Sequence, residues 1–202
     1  MNNQNGEIIL ASASKARAQL LENAGLTFSA KPAPVDEAAI KSADDAKDLP
    51  VGELASRLAR AKALEISKSE PQALVIGADQ ILELNGRNFD KPEDQAEARD
   101  HLTQLQGKTH KLVNTICVIR DQELLWHYTN EAKLTMRRFD NGLIDAYLAE
   151  MGPRALSSVG AYQLEGLGAQ LFSKVEGDFF SILGLPLLPL LDFLRTEGAL
   201  KS

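Results

Sequence analysis

Cysteine is nearly absent from this 202-residue chain; Cys117 is the only one. That excludes a disulfide framework and any paired-cysteine metal or redox motif. With Ile116 and Val118 on either side, Cys117 is expected to be a strand residue and not a nucleophile. Histidine is scarce as well. His101, His110 and His127 show no ligand spacing, so a zinc site is not expected, and no Ser-His-Asp or Cys-His grouping can be assembled. Basic residues do not dominate: 22 Lys and Arg face 28 Asp and Glu, a net charge of -6. This argues against a nucleic-acid partner but leaves room for a small phosphate ligand held by a local basic cluster. Long apolar runs are also missing. The stretch LGLPLLPLLDFL is too short and too proline-broken to span a bilayer, so no membrane partner is expected. The opening MNNQNGEIIL lacks the basic and apolar regions of a signal peptide, which makes the cytoplasm the default compartment.

What is present is an ordinary globular composition, with ample length for one substantial domain or for two lobes sharing a sheet. The chain is organised around residues 73–92, ALVIGADQILELNGRNFDKP. An apolar run over 73–76 suits a strand buried on both faces, and it resumes at Ile81. Asp79 therefore lies inside the segment, where a carboxylate must be paired, hydrogen-bonded or holding a metal. Asn85-Gly86 predicts a type I′ turn and a hairpin. A two-residue loop sets Leu84 opposite Arg87, Leu82 opposite Phe89 and Gln80 opposite Lys91. Asp79 and Lys91 then share a face only if a bulge intervenes near Gly77 or Lys91 leaves the strand before Pro92. The second is expected, because the position before a proline often ends an element.

Upstream, residues 7–11 predict a short buried strand. Ser12-Ala13-Ser14 leads into a helix over 15–24, with Ser14 as N-cap and Gly25 as the stop. A strand entering a helix N-terminus through hydroxyl residues is a ready anion site. Arg17 falls on the inward stripe with Leu20, Leu21 and Ala24, so it either points at such an anion or snorkels out. Residues 30–48, rich in proline and acid, look like a loop, and its Asp36 and Glu37 taken alone are two solvated acids. An amphipathic helix is predicted over 51–68. Lys62 lies on its apolar face, where a lysine usually snorkels but otherwise meets an internal anion.

Downstream, a helix over 93–106 precedes strands over 111–120 and 124–138, the second half exposed, and then a helix over 141–151 capped by Asp140. Residues 160–184 are glycine-rich without a dinucleotide fingerprint, and Gly107-Lys108-Thr109 lacks the first glycine of a P-loop. Pro186 suits the first position of a last helix. The alternation gives an α/β protein whose hairpins make a mixed, twisted sheet with flanking helices. The chemistry left over is a set of acids (Asp36, Glu37, Asp79, Glu165) with inward-leaning bases (Arg17, Lys62, Lys91). Carboxylates suit a hard divalent cation and the bases suit phosphate oxygens, which together suggest metal-assisted chemistry on a phosphoanhydride.

The motifs LASASKARAQLL, VDE, LARAKA, GADQ, the NG hairpin ending in KP, GKTH, GAYQLEGLGAQLF and VEGDFFSILGLP stand in this order along the chain. In that order and spacing the chain resembles the Maf family of nucleoside triphosphate pyrophosphatases along nearly its whole length. The resemblance implies a single domain over 1–202 with two lobes around a cleft, hydrolysis between the α- and β-phosphates, and a divalent cation (Mg2+ or Mn2+). It makes Asp79 the general base and places Glu37 with Asp79 on the metal. Ser12, Ser14 and Arg17 would hold phosphates, and Lys62 and Lys91 would neutralise transition-state charge. It also implies a tendency to homodimerise, with the strand carrying Trp126 as a candidate contact surface.

Asp79-Gln80 and Glu165-Gly166 look like the branch acting on 7-methyl-GTP, whereas the dTTP and UTP branch carries Asp-Thr and Gln-Gly. Ala16 stands where the 7-methyl-GTP branch has tryptophan and where the general signature has an arginine. A carboxylate at Glu165 suits the N1–H and amino edge of guanine or a cationic methylated ring, so Gln80, Ala16 and Glu165 are assigned to the base. A dTTP/UTP enzyme, and a non-catalytic nucleotide-binding regulator of septum formation, are the alternatives.

Overall fold

The computed structural model describes residues 6–201; the signal-peptide reading of the first ten residues falls in part on 1–5, outside the described residues. In chain order the elements are β1 (Ile8–Leu10), α1 (Lys15–Asn23), β2 (Ser29–Ala30), α2 (Glu37–Ser42), α3 (Val51–Ser67), β3 (Leu74–Leu84) and β4 (Arg87–Phe89). There follow α4 (Gln95–Leu105), β5 (Thr109–Arg120), β6 (Glu123–Met136), α5 (Asn141–Met151), β7 (Phe172–Glu176), α6 (Phe179–Ile182) and α7 (Leu187–Thr196). The strands make a seven-stranded sheet in the order β2-β1-β3-β5-β6-β7, with β4 also against β3. β1 is parallel to β2 and β3, whereas β3–β4 and β6–β7 are antiparallel, so the sheet is mixed as expected. By its contacts the chain divides into two compact units, one of residues 6–80, 114–130 and 184–201, the other of 81–113 and 131–183.

In the first unit the apolar run over 73–76 does form strand, with Val75 and Ile76 fully buried. Val75 packs with Ile9 and Cys117 of the neighbouring strands and with Ala59 and Ala63 of α3. Burial pushes the Cys117 thiol up to about 12, which keeps it protonated and inert, in line with the structural expectation. The contact between α3 and β3 is close enough that a Cβ on Gly77 would sit 2.1 Å from the Ala59 carbonyl oxygen, so only glycine fits there. The segment 30–48 is not the plain loop expected. Asp36 caps α2 by accepting from the amide of Ala39 at 2.9 Å, and a 3-10 turn follows at Asp44–Ala46. A six-residue helix is too short for apolar periodicity to announce it.

The second unit has its own core, in which Leu82, Leu102, Leu105, Leu134 and Ile144 are fully buried. The hairpin register is the expected one at Leu84↔Arg87 and Leu82↔Phe89. Asn85 and Gly86 both have positive φ, as a type I′ turn requires. The expected third pair, Gln80 with Lys91, does not continue the ladder, because β4 ends at Phe89 and Lys91 lies beyond it, exposed, before the buried Pro92. Lys91 thus leaves the strand before the proline. Asp140 caps α5 through the amide of Leu143.

Two strands were not foreseen. β2 is only two residues long, and β7 is a short, largely exposed edge strand with no alternation to mark it. Pro186 occupies the N-cap of α7 and not its first helical position. In β6 the expected alternation holds for Ala132, Leu134 and Met136, whereas Trp126 is half-buried, stacked 5.1 Å from Phe193, and Tyr128 is exposed.

His110 is buried in the second unit with its Nε2 2.7 Å from the Tyr162 hydroxyl, and burial lowers its pKa to about 4. A histidine held below its unfolded value takes up a proton more readily when the chain unfolds, so stability falls as pH drops from 6.5 towards 4. Lost in full, this contribution is roughly 3 kcal/mol. Urea unfolding of wild type and His110→Gln at pH 7 and pH 4.5 should show a smaller loss in the variant.

Candidate functional site

The first unit gathers Ser12, Ser14, Arg17, Glu37, Lys62, Asp79 and Gln80, most of the residues singled out in the sequence. Ser14 is the N-cap of α1 as expected, its hydroxyl accepting from the amide of Arg17 at 3.4 Å. The Ser12 hydroxyl oxygen accepts from the amide of Ser14 at 3.2 Å and from Arg17 Nη1 at 3.1 Å. Arg17 does not snorkel. It is buried, with Nε donating to the Gly184 carbonyl at 2.8 Å and Nη1 to the Ala78 carbonyl at 3.0 Å. Among the described residues its Nη2 makes no hydrogen bond, and Arg17 itself stands in the first turn of α1, where the helix dipole favours negative charge. Burial lowers the pKa of this arginine, against the opposing charges of Asp79 and Glu37, but a guanidinium stays charged throughout.

Ala78 immediately precedes Asp79, so the Arg17 bond ties the anion turn to the carboxylate. Asp79 is 6% exposed. Its Oδ1 accepts from Lys62 Nζ at 2.6 Å, and the same ammonium lies 2.8 Å from Glu37 Oε1. Lys62 is 9% exposed, so the snorkelling reading is overturned in favour of an internal anion. Glu37 begins α2 directly after the Asp36 cap, and its side chain is 42% exposed, so it is not merely solvated but reaches one of its oxygens into the pair. Burial raises the pKa of Asp79, while the charges of Lys62 and Arg17 pull it down. A carboxylate poised between those influences is suited to accept a proton.

The donor set fits a divalent cation in one specific way. Asp79 and Glu37 supply hard carboxylate oxygens already converging on one cation, and no group of three or more His, Cys, Asp or Glu among the described residues forms a full protein cage. Two carboxylates with the remaining ligands from phosphate and water is the usual magnesium arrangement at phosphate sites.

Gln80 brings a residue that the sequence reading passed over. Its Nε2 donates to Asn114 Oδ1 at 3.0 Å, and Asn114 is fully buried in β5. A polar side chain inside the run KLVNTICVIR is the same signal that singled out Asp79, so it was available. Gly184, with φ +97°, is the second unforeseen contributor; a Cβ there would lie 3.5 Å from Arg17 Nε. Ala16 is half-buried in the first turn of α1. Lys91 and Glu165 belong to the second unit, both exposed.

A double-mutant cycle tests the pairing. Asp79→Asn and Lys62→Gln should each change unfolding free energy, and their combination should depart from additivity by roughly 0.5–3 kcal/mol in urea titrations. Additive effects would contradict the ion pair.

Comparison with known proteins bears on this arrangement. The family model described as Maf-like protein matches residues 7–197. A protein of Paramagnetospirillum magneticum named nucleoside triphosphate pyrophosphatase is 51% identical over 192 residues, covering 95% of this chain and 99% of the relative. Proteins of Rhizobium etli and Mesorhizobium japonicum named 7-methyl-GTP pyrophosphatase are 49% and 50% identical, each covering 97% of this chain and 98% of the relative.

Proposed function

The chain belongs to the Maf family, as its motifs implied, and on that premise we propose that it is a nucleoside triphosphate pyrophosphatase acting on a guanine-type nucleotide, 7-methyl-GTP foremost. It hydrolyses the bond between the α- and β-phosphates, releasing the monophosphate and pyrophosphate. The observation that carries this reading is the join between the α1 anion turn and a buried carboxylate, made by Arg17 Nη1 on the Ala78 carbonyl at 3.0 Å.

Phosphate oxygens are received at the α1 N-terminus by Ser12, Ser14 and Arg17 Nη2. Asp79 takes a proton from water as that water attacks the α-phosphorus, and pyrophosphate departs. Glu37 and Asp79 would hold the divalent cation, which would supply Lewis-acid polarisation of the phosphate when bound. Lys62 and Lys91 offset charge growing on the phosphates. Gln80, Ala16 and Glu165 are assigned to the base, the carboxylate of Glu165 suiting the donor edge of guanine. Support for the guanine-type preference comes from Gln80, from Glu165 and from the names of the Rhizobium and Mesorhizobium relatives.

Pyrophosphate release from 7-methyl-GTP, GTP, dTTP and UTP with Mg2+ checks the proposal. The highest kcat/KM is expected with 7-methyl-GTP, and Asp79→Asn should lower kcat about 10²–10⁴-fold. Preference for dTTP or UTP would overturn the base assignment. Turnover of none of the four, with Asp79→Asn unchanged in nucleotide binding, would favour a regulator over an enzyme.

A further inference from the structure

Lys62 is attached to the apolar face of α3, yet its ammonium touches carboxylates from two other elements, Asp79 of β3 and Glu37 of α2. Nζ lies 2.6 Å from Asp79 Oδ1 and 2.8 Å from Glu37 Oε1. One compact cation bridging two carboxylate oxygens is the arrangement a divalent ion would itself adopt, at metal–oxygen distances of roughly 2.0–2.1 Å for magnesium. The ammonium and a metal therefore compete for the same two oxygens. Like charges cannot share so small a space at low cost, since repulsion between buried cations is weakly screened.

The competition is uneven until a nucleotide arrives. A bare divalent ion would have to strip Lys62 of both partners and leave a buried ammonium uncompensated, a costly outcome. In return it would gain two protein ligands, because no third His, Cys, Asp or Glu stands with them among the described residues. A triphosphate changes both sides of the balance. Its oxygens complete the coordination of the ion and offer the lysine a new anion.

We propose that Lys62 is a place-holding cation: it occupies the Asp79–Glu37 metal position in the nucleotide-free protein and passes to the substrate phosphates when a metal–nucleotide complex binds. This rests on the reading of the site as one for a nucleoside triphosphate. Its consequences are that the free protein binds divalent ions weakly, that metal and nucleotide enter together, and that the lysine reaches the phosphates only once the metal has taken its place. Lys62 thereby also keeps Asp79 and Glu37 converged, which holds the metal position in shape before it is used.

Electron paramagnetic resonance of Mn2+ titrated into nucleotide-free protein tests this without any turnover. Wild type should bind Mn2+ at least about tenfold more weakly than Lys62→Met, and a non-hydrolysable α,β-imido nucleotide should restore tight binding to wild type. Equal affinity of folded wild type and Lys62→Met without nucleotide would overturn the proposal. Should Lys62→Met fail to fold, wild-type crystals grown with Mn2+, with and without the imido analogue, decide the matter. An anomalous peak between Asp79 and Glu37 only with the analogue, with Nζ moved onto a phosphate, is the expected result. A peak in the nucleotide-free crystal, or Nζ still bridging both carboxylates beside the metal, would refute it. Absence of hydrolysis in the nucleotide panel would remove the enzyme reading alone, because the nucleotide-free Mn2+ comparison needs no substrate.

Discussion

A buried ammonium between two carboxylates is the interaction on which the site depends. Asp79 sits in a strand whose neighbours are apolar, and an ionised carboxylate there would be intolerable without a partner. Lys62 supplies it from α3, and the same ammonium also pairs with Glu37 from α2. Three elements are thereby held in one arrangement by a single Nζ. Such a network is poor as a source of stability, since desolvating its members costs about what their attraction returns. Its retention in the interior of the first unit points to use.

Arg17 provides the second constraint. Its guanidinium is shared among the Gly184 carbonyl, the Ala78 carbonyl and the Ser12 hydroxyl, so it joins the start of α1 to β3 and to the segment entering α7. That leaves Nη2 without a hydrogen bond among the described residues. In the proposed reading the arginine is a clamp that sets where the phosphates lie as much as a group that binds them, and its rigid planar fork suits both tasks. Gly184 belongs to the same device, because its positive φ, a conformation that side chains rarely adopt, presents the carbonyl to Arg17.

Relatives sharing about half their residues with this chain over nearly its full length carry the names of two activities, one general and one specific to 7-methyl-GTP. As proposed, the residues of the first unit serve phosphates and a cation, groups common to every nucleoside triphosphate. In the proposed reading, discrimination between bases falls to other positions, Gln80 and Glu165 among them. Gln80 is anchored by the buried amide of Asn114, which fixes the direction in which its own amide faces.

What the sequence determined by itself is what short-range forces decide. The Ser14 and Asp140 caps and the Asn85-Gly86 turn with its register all depend on groups within a few residues of each other. Their physics is complete in a short window. Tertiary structure alone decided the fate of Lys62, whose partners are 17 and 25 positions away, and of Arg17, bonded to carbonyls 61 and 167 positions distant. It also decided β2 and β7, strands that exist only because a neighbour offers its edge. A lysine on an apolar stripe has the same sequence whether it snorkels to water or meets an acid. Only the fold, by burying Asp79 opposite that stripe, made the second outcome the lower in free energy.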